Sequence, residues 1–261
     1  MQYYVVRTVK CYGTRLRLAA KRGVLAPVGK LQCALRAAVS SPKFNGMWIK
    51  ICGVRDVETA LLAADAGADA IGLNFYEFSP RVVAPATAAE IVARLPSGIE
   101  AVGVFVNHTV DEIRTIGRLC GLKTIQLHGD EPAELLAELA AEFNVIRAFR
   151  VGDEGLHSLD LYLNACERLG VTPWACLIDA RVEGSYGGTG QTAPWEIVRR
   201  DYNFAERPSL ILAGGLNPGN LAEAIRVVGP WGVDVAGGVE SSVACKDAAL
   251  VRQFVKNAKS A

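Results

Sequence analysis

The sequence predicts an α/β protein built as one (β/α)₈ TIM barrel over residues 47–261. Three observations carry that prediction. Eight short apolar runs alternate with eight helical stretches rich in Ala, Leu and Glu, a pattern that implies parallel strands joined by crossovers. Two glycine turns follow the last two runs, where barrels commonly seat an anion. The chain, 261 residues and 27.9 kDa, suits a fold that typically takes about 250 residues. A doubly wound sheet would need a fingerprint such as G-x-G-x-x-G after its first strand, and Cys52-Gly53-Val54-Arg55-Asp56 is not one.

The units follow in order. The first pairs a strand over 48–52 with an Ala-rich helix over 56–66, stopped by Gly67. The second takes 70–75 and 87–95, and the third 101–106 and 110–119, stopped by Gly121. Asn107-His108-Thr109 between them fits a glycosylation pattern but reads as a strand end and helix cap. The fourth unit takes 123–127 and 132–142, with Asp130-Glu131-Pro132 placing acids and a proline at the helix start. The fifth and sixth take 145–150 with 155–169 and 175–179 with 194–200. The seventh takes 209–213 and 218–228, opened by Asn217-Pro218 as cap and first helical residue. The eighth takes 232–236 and 247–258.

Residues 1–46 are set apart by charge. They hold nine of the 28 Lys and Arg and none of the 27 acids, leaving 19 against 27, a net of −8, beyond them. This basic leader is expected to lie outside the fold and to be disordered. It reads as upstream sequence before a true start at Met47, as an organellar targeting segment, or as an accessory piece. The net charge of +1 gives no case for nucleic acid, and no apolar run reaches the roughly 18 residues that span a bilayer. Seven scattered cysteines (11, 33, 52, 120, 166, 176 and 245), none in a C-x-x-C pair, read as reduced thiols in a cytoplasmic setting. An organelle is the alternative if the leader is a transit peptide.

Strand alternation selects the residues that face the chemistry. In Ile49-Lys50-Ile51-Cys52 the apolar pair faces the helices, placing Lys50 inside the barrel and Cys52 at its mouth. In Cys176-Leu177-Ile178-Asp179, Asp179 is the counterpart mouth residue. The fourth strand directs Gln126 inward and sets His128 just beyond it. Asp234 of the eighth strand points inward, level with Lys50, so the two are expected to form a buried ion pair. The plain alternatives stand beside these readings: a buried Cys is often a small hydrophobe, and His128 before Gly129-Asp130 can simply serve a turn.

The turns Ala213-Gly214-Gly215-Leu216 and Ala236-Gly237-Gly238-Val239 bring backbone N–H groups close to an anion without a Cβ in the way. They predict a phosphorylated small-molecule ligand. A third cluster, Gly184 to Thr192, has five residues between Gly184 and Gly190 and Gln191 where a P-loop needs lysine, so it is no P-loop. It reads as a mobile cover over the site.

Taken together, KICGVRD (50–56), AGADAIGLNFYEFSPR (66–81), VGVFVN (102–107), IQLHGDE (125–131), LIDA (177–180), GGTGQTAPW (187–195), LAGGLNPGN (212–220) and GVDVAGGVE (232–240) resemble the phosphoribosylanthranilate isomerase family of tryptophan biosynthesis. The resemblance covers essentially all of 47–261 in family order and implies the barrel already expected. It implies an Amadori rearrangement of N-(5-phosphoribosyl)anthranilate to 1-(2-carboxyphenylamino)-1-deoxyribulose 5-phosphate, with no metal or organic cofactor. It implies Asp179 as general acid, Cys52 as general base, and Arg81 as the group that binds the anthranilate carboxylate. His128 is a further lining residue, and Gly214, Gly215, Gly237 and Gly238 bind phosphate. One departure is Ala236-Gly237-Gly238-Val239-Glu240 where the family commonly has Ser-Ser-Gly-Val-Glu, so phosphate binding rests on backbone amides. A sugar-phosphate epimerase, a ribose-phosphate isomerase of histidine synthesis, or a silent phosphate-ligand sensor would keep the glycine turns without predicting Cys52 together with Asp179. The chain is expected to act as a monomer or homodimer, without nucleic acid or membrane.

Overall fold

Eight parallel strands close on themselves in a computed structural model that describes residues 4–11, 14–21, 46–152, 154–180 and 194–261. The chain divides into two units, Met1–Ser40 and Ser41–Ala261. In the first, β1 (Tyr4–Cys11) pairs antiparallel with β2 (Thr14–Lys21). Composition and charge predict no element there, although Arg15-Leu16-Arg17-Leu18 alternates with period two.

The second unit is the barrel. Its wall is β3 (Trp48–Cys52), β4 (Ala70–Asn74), β5 (Glu100–Phe105), β6 (Thr124–Leu127), β7 (Asn144–Val151), β8 (Ala175–Ala180), β9 (Ser209–Leu212) and β10 (Gly232–Val235). Each strand pairs with the next, and β10 closes on β3 with Asp234 opposite Lys50. The helices are α1 (Val57–Ala66), α2 (Pro85–Arg94), α3 (Val110–Leu119), α4 (Ala133–Leu139), α5 (His157–Arg168), α6 (Trp195–Asp201), α7 (Leu221–Val228) and α8 (Ala248–Ser260). All eight strand–helix units fall where the apolar periodicity puts them.

The core lies in two layers, as alternation along each strand requires. Outward residues such as Ile49, Ile51, Ile71, Leu73 and Ile178 pack against the helices. Inward residues Trp48, Ala70, Val102, Ile146, Ala148, Leu177 and Ile211 fill the barrel. Trp48 stacks on Trp231 at 5.3 Å between ring centroids, and both lie at the amino-terminal ends of strands, away from the chemistry.

Helix ends follow local rules, with two differences. Thr109 caps α3 in a full capping box with Glu112, and Gly67 ends α1 at φ 90°. The fourth helix, however, starts behind Pro132 with no side-chain cap. Glu131 turns inward instead, accepting from the amides of Asn107 and Gly129 and from Arg147 Nη1. That buried arginine also donates to the carbonyls of Leu127 and Gly129, so the pair ties the loop after β6 to the neighbouring strand. Asn217 caps a turn rather than α7 itself, accepting from the Gly219 amide at 2.8 Å, and α7 begins at Leu221.

Candidate active site

Cys52 ends β3 and lines a cleft of about 550 Å³ at the carboxyl ends of the strands. Asp179 of β8 and His128, just past β6, line the same cleft. Three strands well apart in sequence therefore deliver a thiol, a carboxylate and an imidazole to one space. Cys52 and Asp179 are 9% and 6% exposed, so both are largely shielded from solvent.

The surroundings of Cys52 are set by its own strand and by both neighbours. Lys50, two residues earlier, is fully buried, and its Nζ lies 2.9 Å from Asp234 Oδ1. The expected pair is present in register. Burial works against the Lys50 charge, but Asp234 and Cys52 together outweigh it and hold the ammonium above its ordinary value. On the other side, Gly72 of β4 sits opposite Cys52. A Cβ at Gly72 would fall 2.6 Å from Cys52 Sγ, so the missing side chain is what gives the thiol its room. Burial pushes the Cys52 thiol up, and Asp234 adds to this. The ammonium groups of Lys50 and Lys246 pull the other way without overcoming it.

Across the cleft, Gln126 Nε2 stands 2.6 Å from His128 Nδ1. With that amide nitrogen donating, the ring proton sits on Nε2, which faces Asp179 Oδ2 at 3.4 Å. At that separation the ring faces the carboxylate without a well-aligned hydrogen bond.

Arg81 lines the cleft, but its side chain is already engaged. Nε and Nη2 donate to the two carboxylate oxygens of Glu240, each at 2.7 Å. Lys246 Nζ approaches the same carboxylate at 2.8 Å and also donates to the Ala236 carbonyl. Burial alone would raise the Glu240 carboxyl; the hydrogen bonds from Arg81 and Lys246 outweigh it and hold the group down at about 2.

The glycine turns meet at the rim. Gly214 and Gly215 are left-handed, with φ 81° and 64°, and Gly237 opens a 3-10 turn over Gly237–Val239. A Cβ at Gly238 would lie 1.8 Å from the Leu216 carbonyl oxygen. The two turns therefore approach as closely as only glycine permits. All four glycines line the cleft, and among the described residues their amides have no hydrogen-bond acceptor.

Every site residue expected from the sequence lines this cleft. Glu240, Lys246 and Gly72 were missed as site residues. Gly72 had a readable signal, since alternation puts it inward on the strand beside Cys52. Glu240 was visible as an acid ending a glycine turn, whereas nothing marked Lys246. The Gly184–Thr192 cover lies outside the described residues. Among the described residues, no group of three or more His, Cys, Asp or Glu is placed to hold a metal, and no helix is long and apolar enough to cross a membrane.

Fold and cleft together define a (β/α)₈-barrel enzyme that works from the carboxyl ends of its strands. The family model for N-(5'-phosphoribosyl)anthranilate isomerase matches residues 49–257. A protein of that name from Geobacter metallireducens is 45% identical over 212 residues, covering 81% of this chain and 98% of its own length. The crystal structure of the Thermotoga maritima phosphoribosyl anthranilate isomerase is 36% identical, covering 82% of this chain and all of its own, with a TM-score of 0.73. A further isomerase structure, in complex with reduced 1-(o-carboxyphenylamino)-1-deoxyribulose 5-phosphate, is 35% identical, covers 82% of this chain and all of its own, and has a TM-score of 0.71. The chain belongs to the N-(5'-phosphoribosyl)anthranilate isomerase family.

Proposed function

We propose that this enzyme isomerises N-(5-phosphoribosyl)anthranilate to 1-(2-carboxyphenylamino)-1-deoxyribulose 5-phosphate in tryptophan biosynthesis, with Asp179 as general acid and Cys52 as general base. The observation that carries the assignment is the delivery of both groups, by β8 and β3, into one cleft. Asp179 gives a proton to the furanose ring oxygen as the C1′–O bond breaks, and the nitrogen lone pair forms an iminium. The Cys52 thiolate then takes the C2′ proton, leaving the electron pair in an enolamine. Loss of the enol proton and protonation of C1′ complete the ketone, so product and substrate are isomers.

The environment suits these roles. A base with a raised pKa is scarcer at neutral pH but stronger once formed. The iminium, a cation generated beside the thiol, offsets the burial that keeps it protonated. His128, with Nε2 toward Asp179, is placed to orient that carboxyl. The amides of Gly214, Gly215, Gly237 and Gly238 form an anion cradle for the 5-phosphate, and Arg81 faces the anthranilate carboxylate. Because Cys52 works as a free thiol, a reducing compartment such as the cytoplasm fits this reading.

The test is loss of substrate fluorescence in wild type, Cys52→Ala and Asp179→Asn. Each substitution should lower turnover by about 10²–10⁴-fold, the usual contribution of a positioned acid or base, with melting temperature preserved. Near-normal turnover in either variant would overturn that residue's role, and an inactive wild type would overturn the function.

A further inference from the structure

A guanidinium has two edges able to grip a carboxylate, and the protein occupies one of them on Arg81. Glu240 takes the edge formed by Nε and Nη2. The other edge, Nη1 with the second hydrogen of Nη2, meets no acceptor among the described residues. A planar fork of five donors can hold one carboxylate on each edge.

The stem of Arg81 is equally constrained. A Cβ at Gly53 would fall 2.5 Å from Arg81 Cδ, and one at Gly237 would fall 3.4 Å from Nη2. The side chain is thus laid across two glycines, one beside Cys52 and one in the anion turn. Charge balance points the same way. Arg81 and Lys246 supply two positive charges to the single carboxylate of Glu240, whose side chain is 4% exposed. One positive charge is left over, on a fork bordering the cleft.

We propose that Glu240, backed by Lys246, is a positioning residue that holds Arg81 with its second edge open, making the subsite selective for a single carboxylate on the substrate's aromatic ring. This rests on the reading of Arg81 as the carboxylate-binding group. Without Glu240, a long flexible side chain has to be ordered during binding, and affinity for the carboxylate falls accordingly.

The experiment titrates two ligands: reduced 1-(o-carboxyphenylamino)-1-deoxyribulose 5-phosphate and the same compound without its ring carboxylate. Wild type, Arg81→Ala, Glu240→Ala and Glu240→Gln are compared, with melting curves to establish folding. Glu240→Ala should weaken the carboxylated ligand by about tenfold or more, the effect of losing an ordered charged contact, and leave the other unchanged. Glu240→Gln, which keeps one acceptor oxygen, should fall between and decides the matter if the alanine variant does not fold. Equal weakening of both ligands would reduce Glu240 to a fold element, and tighter binding of the carboxylated ligand would make it a competitor; either result overturns the proposal. If Arg81→Ala leaves the preference for the carboxylated ligand intact, the reading of Arg81 itself fails. If Arg81→Ala abolishes that preference and neither Glu240 variant alters it, only the role of Glu240 fails.

Discussion

Replacing Asp234 by Asn isolates the energetics of the barrel interior. In the native protein Lys50 is fully buried, with Nζ 2.9 Å from Asp234 Oδ1. Removing one member of a buried pair leaves an uncompensated charge and costs about 3–5 kcal/mol. A second route sets a similar ceiling. At pH 7 an ordinary lysine, with a pKa of about 10.4, sheds its proton for about 4.6 kcal/mol, so the variant need not lose more than that to neutralise Lys50. In a barrel of this length each kcal/mol shifts the melting temperature by about 2–4 °C. Asp234→Asn should therefore melt roughly 6–20 °C below wild type.

The sign with pH is also set. Against burial, Asp234 and Cys52 hold Lys50 above its ordinary value, so its contribution is complete below the unfolded pKa and lost as pH rises through the folded one. In the variant, neutralising Lys50 becomes easier by about 1.4 kcal/mol per pH unit. The gap between wild type and Asp234→Asn should therefore be widest at and below neutral pH and shrink steadily as pH rises toward and past about 10.4. Calorimetry or circular dichroism at several pH values reads this out. A double variant, Lys50→Met with Asp234→Leu, should recover much of the loss because it buries no charge. A single variant that melts within a degree of wild type would refute the argument, and so would a double variant no better than the single one.

Three further outcomes follow from the same geometry. The raised Cys52 pKa predicts that kcat/KM climbs with pH through neutrality and bends only above the ordinary thiol value of about 8.5; a profile flat from pH 6 to 9 would contradict this. Gly72→Ala places a Cβ 2.6 Å from Cys52 Sγ and should lower kcat by about tenfold or more, since displacing a reacting group by about 1 Å can cost 10²-fold. Steady-state rates, with circular dichroism to verify folding, decide it. Gly238→Ala drives a Cβ into the Leu216 carbonyl and should force the two rim turns apart. Competition by inorganic phosphate should then weaken markedly, and unchanged inhibition would remove these turns from phosphate binding.

Features that depend on position within one strand are legible in the amino-acid sequence. Lys50 inside, Cys52 and Asp179 at the mouth, and the match of Asp234 to Lys50 all follow from a side-chain period of two and a closed parallel register. Contacts made by long side chains across distant loops are not. Arg81 and Glu240 are 159 residues apart, and neither spacing nor periodicity brings them together. Glu131 shows the opposite error: its place before Pro132 fits a helix start, yet Arg147 at 3.3 Å draws it into the interior. A local preference worth about 1 kcal/mol yields to a buried arginine that needs a counter-charge. In the pairing of β1 with β2, a strongly basic composition masks an alternation that is present in the residues themselves.

The distribution of charge around Cys52 bears on when the thiol becomes a base. Behind it Lys50 draws the thiol toward ionisation more than Asp234 opposes it, while Arg81 and Lys246 exceed Glu240 by one positive charge beside it. On the proposed mechanism, a substrate carboxylate on Arg81 removes that excess, and burial then outweighs the pull of Lys50 and Lys246 on the thiol. Cys52 then stays protonated while the ring is closed. Only ring opening creates a new cation, the iminium, next to the proton that must leave. The thiolate left when Cys52 gives its proton to solvent then meets opposite charge in a largely buried site, where the interaction is far stronger than in water. Burial of Cys52, which looks unfavourable for a base, thereby links the appearance of the base to the one intermediate that requires it.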